Sequence, residues 1–438
     1  MNPKNLAVLA LLTIVLVAAA LLVSRPRSTD TPKAVDTGES VTMLPGVAEK
    51  VPGVTSIEMK DSTRTLTFRR ADAKSPWTLG DKHNYPALAD RVNTVLGTVA
   101  NLRIAQEKTS KPERYAMIGV DEPDKPGSTG KLITLKDAGG GVVASIIVGN
   151  SAEAGAPDPV SRNRSAFYAR KAGDAQSYLV FGSLTPETDA MQWIERTVLQ
   201  LDRSRIRSVT VTRHEDPAAD DAAKAGTFEL FRESEKDVNF ALRGLPPGRE
   251  LKEPAVVDAP VSVVGYVLID DVRPLAEVDF AKSDPAGPVL PDAAATPFSR
   301  ATVRYSTFDG LVVTAKVTRK DAKYWVTFDA AFDEKEVVPA PATPTPQTPE
   351  APAPTSRKSA EDVKKEATDL TTKLAGWAYA ISETNAKQLA TRLSDLLQPV
   401  KPTGPEPVGP LPTTPQENLL VPLQPTPAPT PEPTPEPK

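Results

Sequence analysis

The chain has 438 residues, 39% of them hydrophobic and 25% charged, with no cysteine and a formal net charge of -4. That length allows two or three domains, and that balance suits a globular body. Without cysteine there is no disulfide framework, thiolate nucleophile, zinc ribbon or lipid-modified N-terminal Cys, and without an excess of Lys and Arg nucleic acid is not an expected partner.

Leu6 to Val23 reads LAVLALLTIVLVAAALLV, an uncharged apolar run of 18 residues. As a helix it spans about 27 Å, close to the hydrocarbon core of a bilayer. A cleaved secretory signal has a shorter apolar region, about 7 to 15 residues, that ends at small residues. Here Leu21-Leu22-Val23 follow the small residues Ala18 to Ala20, so residues 1–24 read as an uncleaved signal anchor. Arg25 and Arg27 follow the run and Lys4 precedes it, a local charge bias against an external body. Large domains after a signal anchor are translocated largely regardless of such charges, and only a short stretch precedes the helix. The expectation is a single pass through the inner (cytoplasmic) membrane, with the body facing the periplasm or cell exterior.

Residues 25–53 carry Pro, Gly, Ser and Thr without periodicity and read as a flexible spacer, with order beginning near Val54. Val54 to Met59 and Arg64 to Arg70 alternate around a polar Lys60 to Thr63 turn, predicting a hairpin, and Pro76 to Leu79 a third short strand. Leu88, Val92, Val95, Leu96, Val99 and Leu102 then form a helical stripe, with Pro86 just ahead and Asn101 near its end. Lys131 to Lys136 and Val142 to Val148 make another hairpin through Asp137 to Gly141, whose glycines read as a turn and not as a phosphate cradle. Strands at Ala166 to Arg170 and Ser177 to Phe181 and a helix at Pro186 to Leu199 close a first α+β module, residues 54–200.

From Ile206 the order of features recurs. RSVTVT, FELFRE and NFALRG lead to an apolar helical stripe and a hairpin, so that Phe240 falls where Trp77 does, Val272 where Leu102 does and Val312 where Val142 does. A duplicated module explains this order, and the second copy, residues 201–337, ends in the aromatic strand Tyr324 to Phe328. Residues 338–357 are a proline-rich loop. Residues 358–398 read as helix, strand and helix docking on the body: a charged helix at Ser359 to Leu374, a strand at Trp377 to Ile381, and a helix at Asn385 to Leu397 presenting Leu389, Leu393, Leu396 and Leu397. Residues 399–438 read as a disordered, proline-rich tail. The fold class expected is therefore α+β: a transmembrane helix, two repeated modules of antiparallel strands with packed helices, and the tail.

The N-terminal helix, Trp77 ahead of a helix, and Tyr115-Ala116-Met117-Ile118-Gly119-Val120-Asp121-Glu122-Pro123 ahead of a hairpin form a pattern. Val148-Gly149, Phe167-Tyr168-Ala169-Arg170, Gly376-Trp377-Ala378-Tyr379 and Leu393-Ser394-Asp395-Leu396-Leu397 extend it. Over residues 54–397 the chain resembles the bacterial domain-of-unknown-function family 4340. The resemblance implies membrane-anchored accessory proteins of ABC-type export systems, similar in context to auxiliary components of gliding-motility transporters. It supplies no catalytic residues.

His83 and His214 are the two histidines, far apart and in polar, loop-like settings without ligand spacing, so no metal site is expected. No GxSxG elbow, GxxxxGK[ST] loop or GxGxxG turn occurs. Asp216 to Asp221 lack the glycine and spacing of a calcium loop, and Asp270-Asp271 read as the polar side of a helix. Trp77 and Trp377 read as core residues and not as ligand stackers. No catalytic, cofactor-binding or metal-binding residue is assigned. The chain is expected to be a non-enzymatic accessory or scaffold subunit at the cell envelope, held in the membrane by Leu6 to Val23, with protein partners in a transporter complex and no cofactor. The alternative is an extracytoplasmic binding module for envelope glycans or peptides.

Overall fold

Period-two alternation of apolar residues puts one face of each strand into a core and leaves the other polar, and here it builds two large antiparallel sheets. The computed structural model describes residues 41–152, 165–214, 226–281, 300–339 and 357–399. The apolar run Leu6 to Val23, the acidic run Asp216 to Asp221 and the tail beyond Pro399 lie outside the described residues. No helix among the described residues is long and apolar enough to cross a membrane.

The first part of the chain carries α1 (Val47–Lys50), β1 (Val54–Lys60), β2 (Thr65–Arg69), β3 (Thr78–Leu79), β4 (Tyr85–Pro86), α2 (Ala89–Ala100), β5 (Arg103–Glu107), α3 (Tyr115–Ile118), β6 (Lys131–Asp137), β7 (Val142–Ala152), β8 (Ala166–Lys171) and β9 (Ser177–Phe181). Among the described residues these strands form a nine-stranded sheet in the order β4-β3-β2-β1-β6-β7-β8-β9-β5. The second part carries β10 (Thr197–Leu199), β11 (Ile206–His214), β12 (Thr227–Phe231), β13 (Ala241–Leu242), α4 (Pro254–Val257), α5 (Ala259–Ser262), β14 (Val267–Leu268), β15 (Asp271–Pro274), β16 (Arg300–Thr307), β17 (Leu311–Lys320), β18 (Lys323–Phe332), α6 (Ala360–Leu374), β19 (Trp377–Ile381), α7 (Glu383–Leu389) and α8 (Leu393–Leu396). Its eight-stranded sheet runs β13-β12-β11-β16-β17-β18-β19-β15, and β10 pairs with β14 in a small third sheet. Apart from the extra edge strand β4, the second large sheet repeats the strand order of the first, and in both the first long strand has a register shift at its start, between Val54 and Ser56 and between Ile206 and Ser208.

The architecture is α+β with strands predominating. One apolar core continues from sheet to sheet. The predicted stripe of α2 is buried at Val92, Val95, Leu96 and Val99, and Trp193 meets Phe68 edge-on at 4.8 Å.

Five expectations are corrected. Pro186 to Leu199 is not an α-helix: Ala190–Trp193 makes a single 3-10 turn and Thr197–Leu199 becomes β10. Tertiary partners take the hydrogen bonds that a helix would use, since the Trp193 carbonyl accepts from the Leu88 amide at 2.7 Å and the Trp193 indole donates to the Glu187 carbonyl at 2.9 Å. Asn385 to Leu397 is two helices, because Ser382 caps α7 and the Asp395 carboxylate accepts from the Arg392 amide at 3.2 Å to start α8. Within the spacer expected over residues 25–53, the described residues 41–53 are ordered. The Ile104 amide donates to the Val41 carbonyl and the Met43 amide to the Leu102 carbonyl, both at 2.9 Å, closing the outer edge of β5, and Met43, Leu44 and Val47 are buried. Finally, Asp271 opens the strand β15 with Asp270 in the bend before it, and His214 ends β11, so neither site lies on the helix or loop expected for it.

Candidate functional site

The motif Tyr115 to Pro123 folds as a clasp over the outer face of the first sheet. The Tyr115 hydroxyl donates to the Ala175 carbonyl at 2.5 Å, and the Arg170 guanidinium lies 4.6 Å from its ring centroid. Arg170, 4% exposed, donates Nε to the Val120 carbonyl at 3.1 Å and Nη2 to Glu122 at 2.7 Å. Two glycines permit the close approach: a Cβ on Gly149 would stand 2.3 Å from the Ile118 carbonyl oxygen, and one on Gly130 would stand 2.1 Å from that of Asp121. The motif is thus accounted for by packing, and its charged side chains are spent on the clasp.

A different set of residues converges where the edge strand β4 and the turn before it meet β19 and the start of β15. Tyr85 meets Trp377 edge-on at 4.8 Å and Tyr379 at 6.4 Å. Around these rings runs a chain of charged contacts, in which Lys82 and His83 reach across from the first sheet and the others lie within the second. Lys82 Nζ donates to Asp271 Oδ1 at 2.6 Å, Lys323 Nζ to Asp271 Oδ2 at 3.2 Å, and Arg273 to Asp321 at 3.2 Å, while His83 Nδ1 lies 3.2 Å from Glu277. Arg273 also covers the buried Trp325 at 4.8 Å. Burial pushes the Asp271 carboxyl up, but hydrogen bonding and charge from Lys82, the Val272 amide and Lys323 outweigh it, so the group sits below the ordinary carboxylate value. An ionised carboxylate already shared by two ammonium groups is a clamp and not an acid poised to donate. Burial raises the Tyr379 phenol far above its ordinary range, with Tyr85 reinforcing the shift.

The backbone is unusual at the same place. Among the described residues, the non-glycine positions with positive φ are His83 (55°), Asn84 (61°), Asp321 (52°) and Ala322 (59°), and each pair flanks a lysine of the Asp271 clamp. At Asp321-Ala322 a two-residue hairpin between paired Lys320 and Lys323 demands the left-handed conformation.

Of the residues singled out in the sequence, the structure brings together Asp271, His83 and Trp377. Trp77 is buried elsewhere beneath Arg70, at 4.5 Å. His214 Nε2 lies 3.0 Å from Thr302 Oγ1, and burial and then Arg300 lower its pKa. Asp137 accepts from the amides of Gly139 at 2.9 Å and Gly141 at 2.8 Å, as a turn requires. Among the described residues no three His, Asp or Glu side chains group as a metal site. Sequence reasoning missed Lys82, Lys323, Arg273 and Tyr85. Nothing in the sequence marks either left-handed turn with glycine, and the partners are far apart in the chain.

Residues 77–259 match the family model described as a domain of unknown function (DUF4340). The match takes in the first sheet from Trp77 onward, the Tyr115 to Pro123 clasp and the strands β11 to β13, and it stops short of the seam residues Asp271 and Trp377. No curated protein and no solved structure matches this chain.

Proposed function

We propose that this protein is a non-enzymatic scaffold or accessory subunit of the cell envelope, anchored in the inner membrane by Leu6 to Val23, with its body facing the periplasm or cell exterior beside an ABC-type export or gliding-motility-like transport system. The observation that carries the reading is the way the chain comes into its body. Residues 41–43 hydrogen-bond along the edge of β5, and Met43 and Leu44 insert into the core, so an anchor upstream would be wired into the first sheet. Residues 24–40 reach at most about 60 Å when fully extended, which keeps the body near the bilayer and within range of membrane-embedded partners. The Asp271 clamp supports the scaffold role, since it holds the two sheets to each other through charges that are already paired.

The test is fractionation and co-purification of the tagged full chain beside a variant lacking Leu6 to Val23. The expected result is a membrane-bound full chain that brings down transporter subunits, and a variant that is released and brings down none. A full chain that leaves the membrane with carbonate, or that retains envelope polymer and no transporter subunit, would overturn the reading. A reporter fused at the C-terminus is expected to be active on the outer side of the membrane only.

A further inference from the structure

The two large sheets fill one equivalent position by different routes. In the first, β9 lies between β8 and β5 and follows β8 through a short turn at Gly173. In the second, β19 lies between β18 and β15, but it arrives after residues 333–376, which include α6. It is an internal strand: Val326 pairs with Tyr379 on one side and Val272 with Tyr379 on the other. The segment around it is seated as deeply, with Val363, Leu374, Leu389 and Leu396 each 1% exposed or less.

Two arginine clamps fasten the segment. Arg205, 7% exposed, forks both Nη groups onto the Glu366 carboxylate of α6 at 2.9 Å and turns Nε to Asp309 at 2.9 Å. Arg357 donates to Glu235 at 2.6 Å and to the Val338 carbonyl, and lies 5.6 Å from the Phe308 ring. Backbone pairing on both edges, an apolar helix face and charge-assisted forks are what a tight strand-addition interface uses.

We infer that the slot between β18 and β15, with the Arg205 shelf beside it, is a strand-acceptor site whose ligand is the segment 357–397, held by noncovalent contacts that do not depend on the covalent connection through residues 340–356. The features that the site recognises are an amphipathic helix with a carboxylate facing Arg205, then a strand of alternating aromatic and small residues.

The experiment places a specific protease site between Thr345 and Pro346 in the full chain and cuts the folded protein. The two pieces are expected to co-elute as one species on dilution to nanomolar concentration, to keep the near-ultraviolet signal of Trp325 and Trp377, and to exchange a dye-labelled 357–397 peptide into the complex. Glu366→Gln, which leaves the Arg205 fork short of a carboxylate, is expected to speed dissociation of the cut segment at least ~10-fold, while the uncut variant keeps its near-ultraviolet signal and so reports on folding. Separation of the pieces under native conditions, or unchanged dissociation in Glu366→Gln, overturns the inference.

Discussion

At the start of β1 and at the start of β11 the chain meets the same problem and solves it with the same residue. Each strand begins with a register shift that leaves carbonyls turned away from the ladder. In the first sheet Arg70 supplies the donors, from Nε to Val54 at 2.7 Å and from Nη2 to Pro52 at 3.0 Å, and its guanidinium stacks on Trp77. In the second, Arg232 donates Nε to Ile206 at 3.1 Å and Nη2 to Ser204 at 2.8 Å, and stacks on Phe240 at 4.9 Å. A buried carbonyl without a donor costs free energy, and only a long, multiply donating side chain reaches several at once.

The difference lies in what is added. Arg203 also covers Phe240, at 5.3 Å, and Phe308 lies between Arg232 at 5.4 Å and Arg357 at 5.6 Å, so the Arg70–Trp77 pair at the start of β1 becomes a ladder at the start of β11. Likewise Gly53, just before Val54, faces open space, whereas Arg205, just before Ile206, is buried against Asp309 and Glu366. Two of these additions, Arg357 on Phe308 and Arg205 on Glu366, fasten the segment beyond the proline-rich stretch. The second sheet therefore stands on long-range contacts where the first stands on a hairpin.

That contrast is sharpest at Arg205. Arg205→Ala is expected to cost about 3–5 kcal/mol, because Asp309 is left buried without its partner. Urea unfolding followed by hydrogen exchange is expected to show the loss in β16 to β19 before β6 to β8; a uniform loss would erase the distinction between the sheets. Truncating the two stacked rings tests their equivalence, and Trp77→Ala and Phe240→Ala are each expected to cost about 3–5 kcal/mol, with Trp77→Phe much milder. Should Trp77→Ala prove harmless while Phe240→Ala is severe, the shared arginine geometry is not what stabilises the first sheet.

Gly149→Ala drives a Cβ into the Ile118 carbonyl and is expected to cost about 1–3 kcal/mol, with faster hydrogen exchange confined to residues 115–130. Acid sharpens the comparison in another way. Burial pushes the Asp309 and Glu366 carboxyls up, but Arg205 first, with Thr307 and Lys358 at Asp309 and Lys358 at Glu366, outweighs it and holds both below their ordinary values. Their contribution is therefore complete above the unfolded carboxyl pKa and is lost as pH falls through the depressed folded values. The urea midpoint of the parent is expected to fall with acid more steeply than that of Arg205→Ala, and parallel slopes would disprove this linkage. The smallest effect is expected at the seam, where Ala322→Gly relieves a left-handed alanine worth about 1–2 kcal/mol and adds unfolded-chain entropy of about 0.4–1 kcal/mol, for a slight rise in melting temperature.

Local pattern carried much of the fold in advance. The alternation of Val142 to Val148, the stripe from Leu88 to Leu102, the charged helix at Ser359 to Leu374 and the alternation of Trp377 and Tyr379 each depend on neighbours within a few residues, and each stands in the structure as the element that its period implies. Where backbone hydrogen bonds go to distant partners the pattern misleads, as at Trp193, whose carbonyl serves Leu88, and at Met43, whose amide serves Leu102. The candidate site was the least legible part. Lys82, Asp271 and Lys323 carry no spacing signal, because the strand order alone makes them neighbours. Sequence by itself determined the long strands, the α2 and α6 helices and the Asp137 to Gly141 turn, since those choices are settled by side-chain period and backbone preference over short range. The tertiary structure alone decided that β19 would slot between β18 and β15 and that Tyr85 of β4 would meet Trp377 and Tyr379 of β19, since pairing across long separations depends on which edges and charges the finished core leaves facing each other.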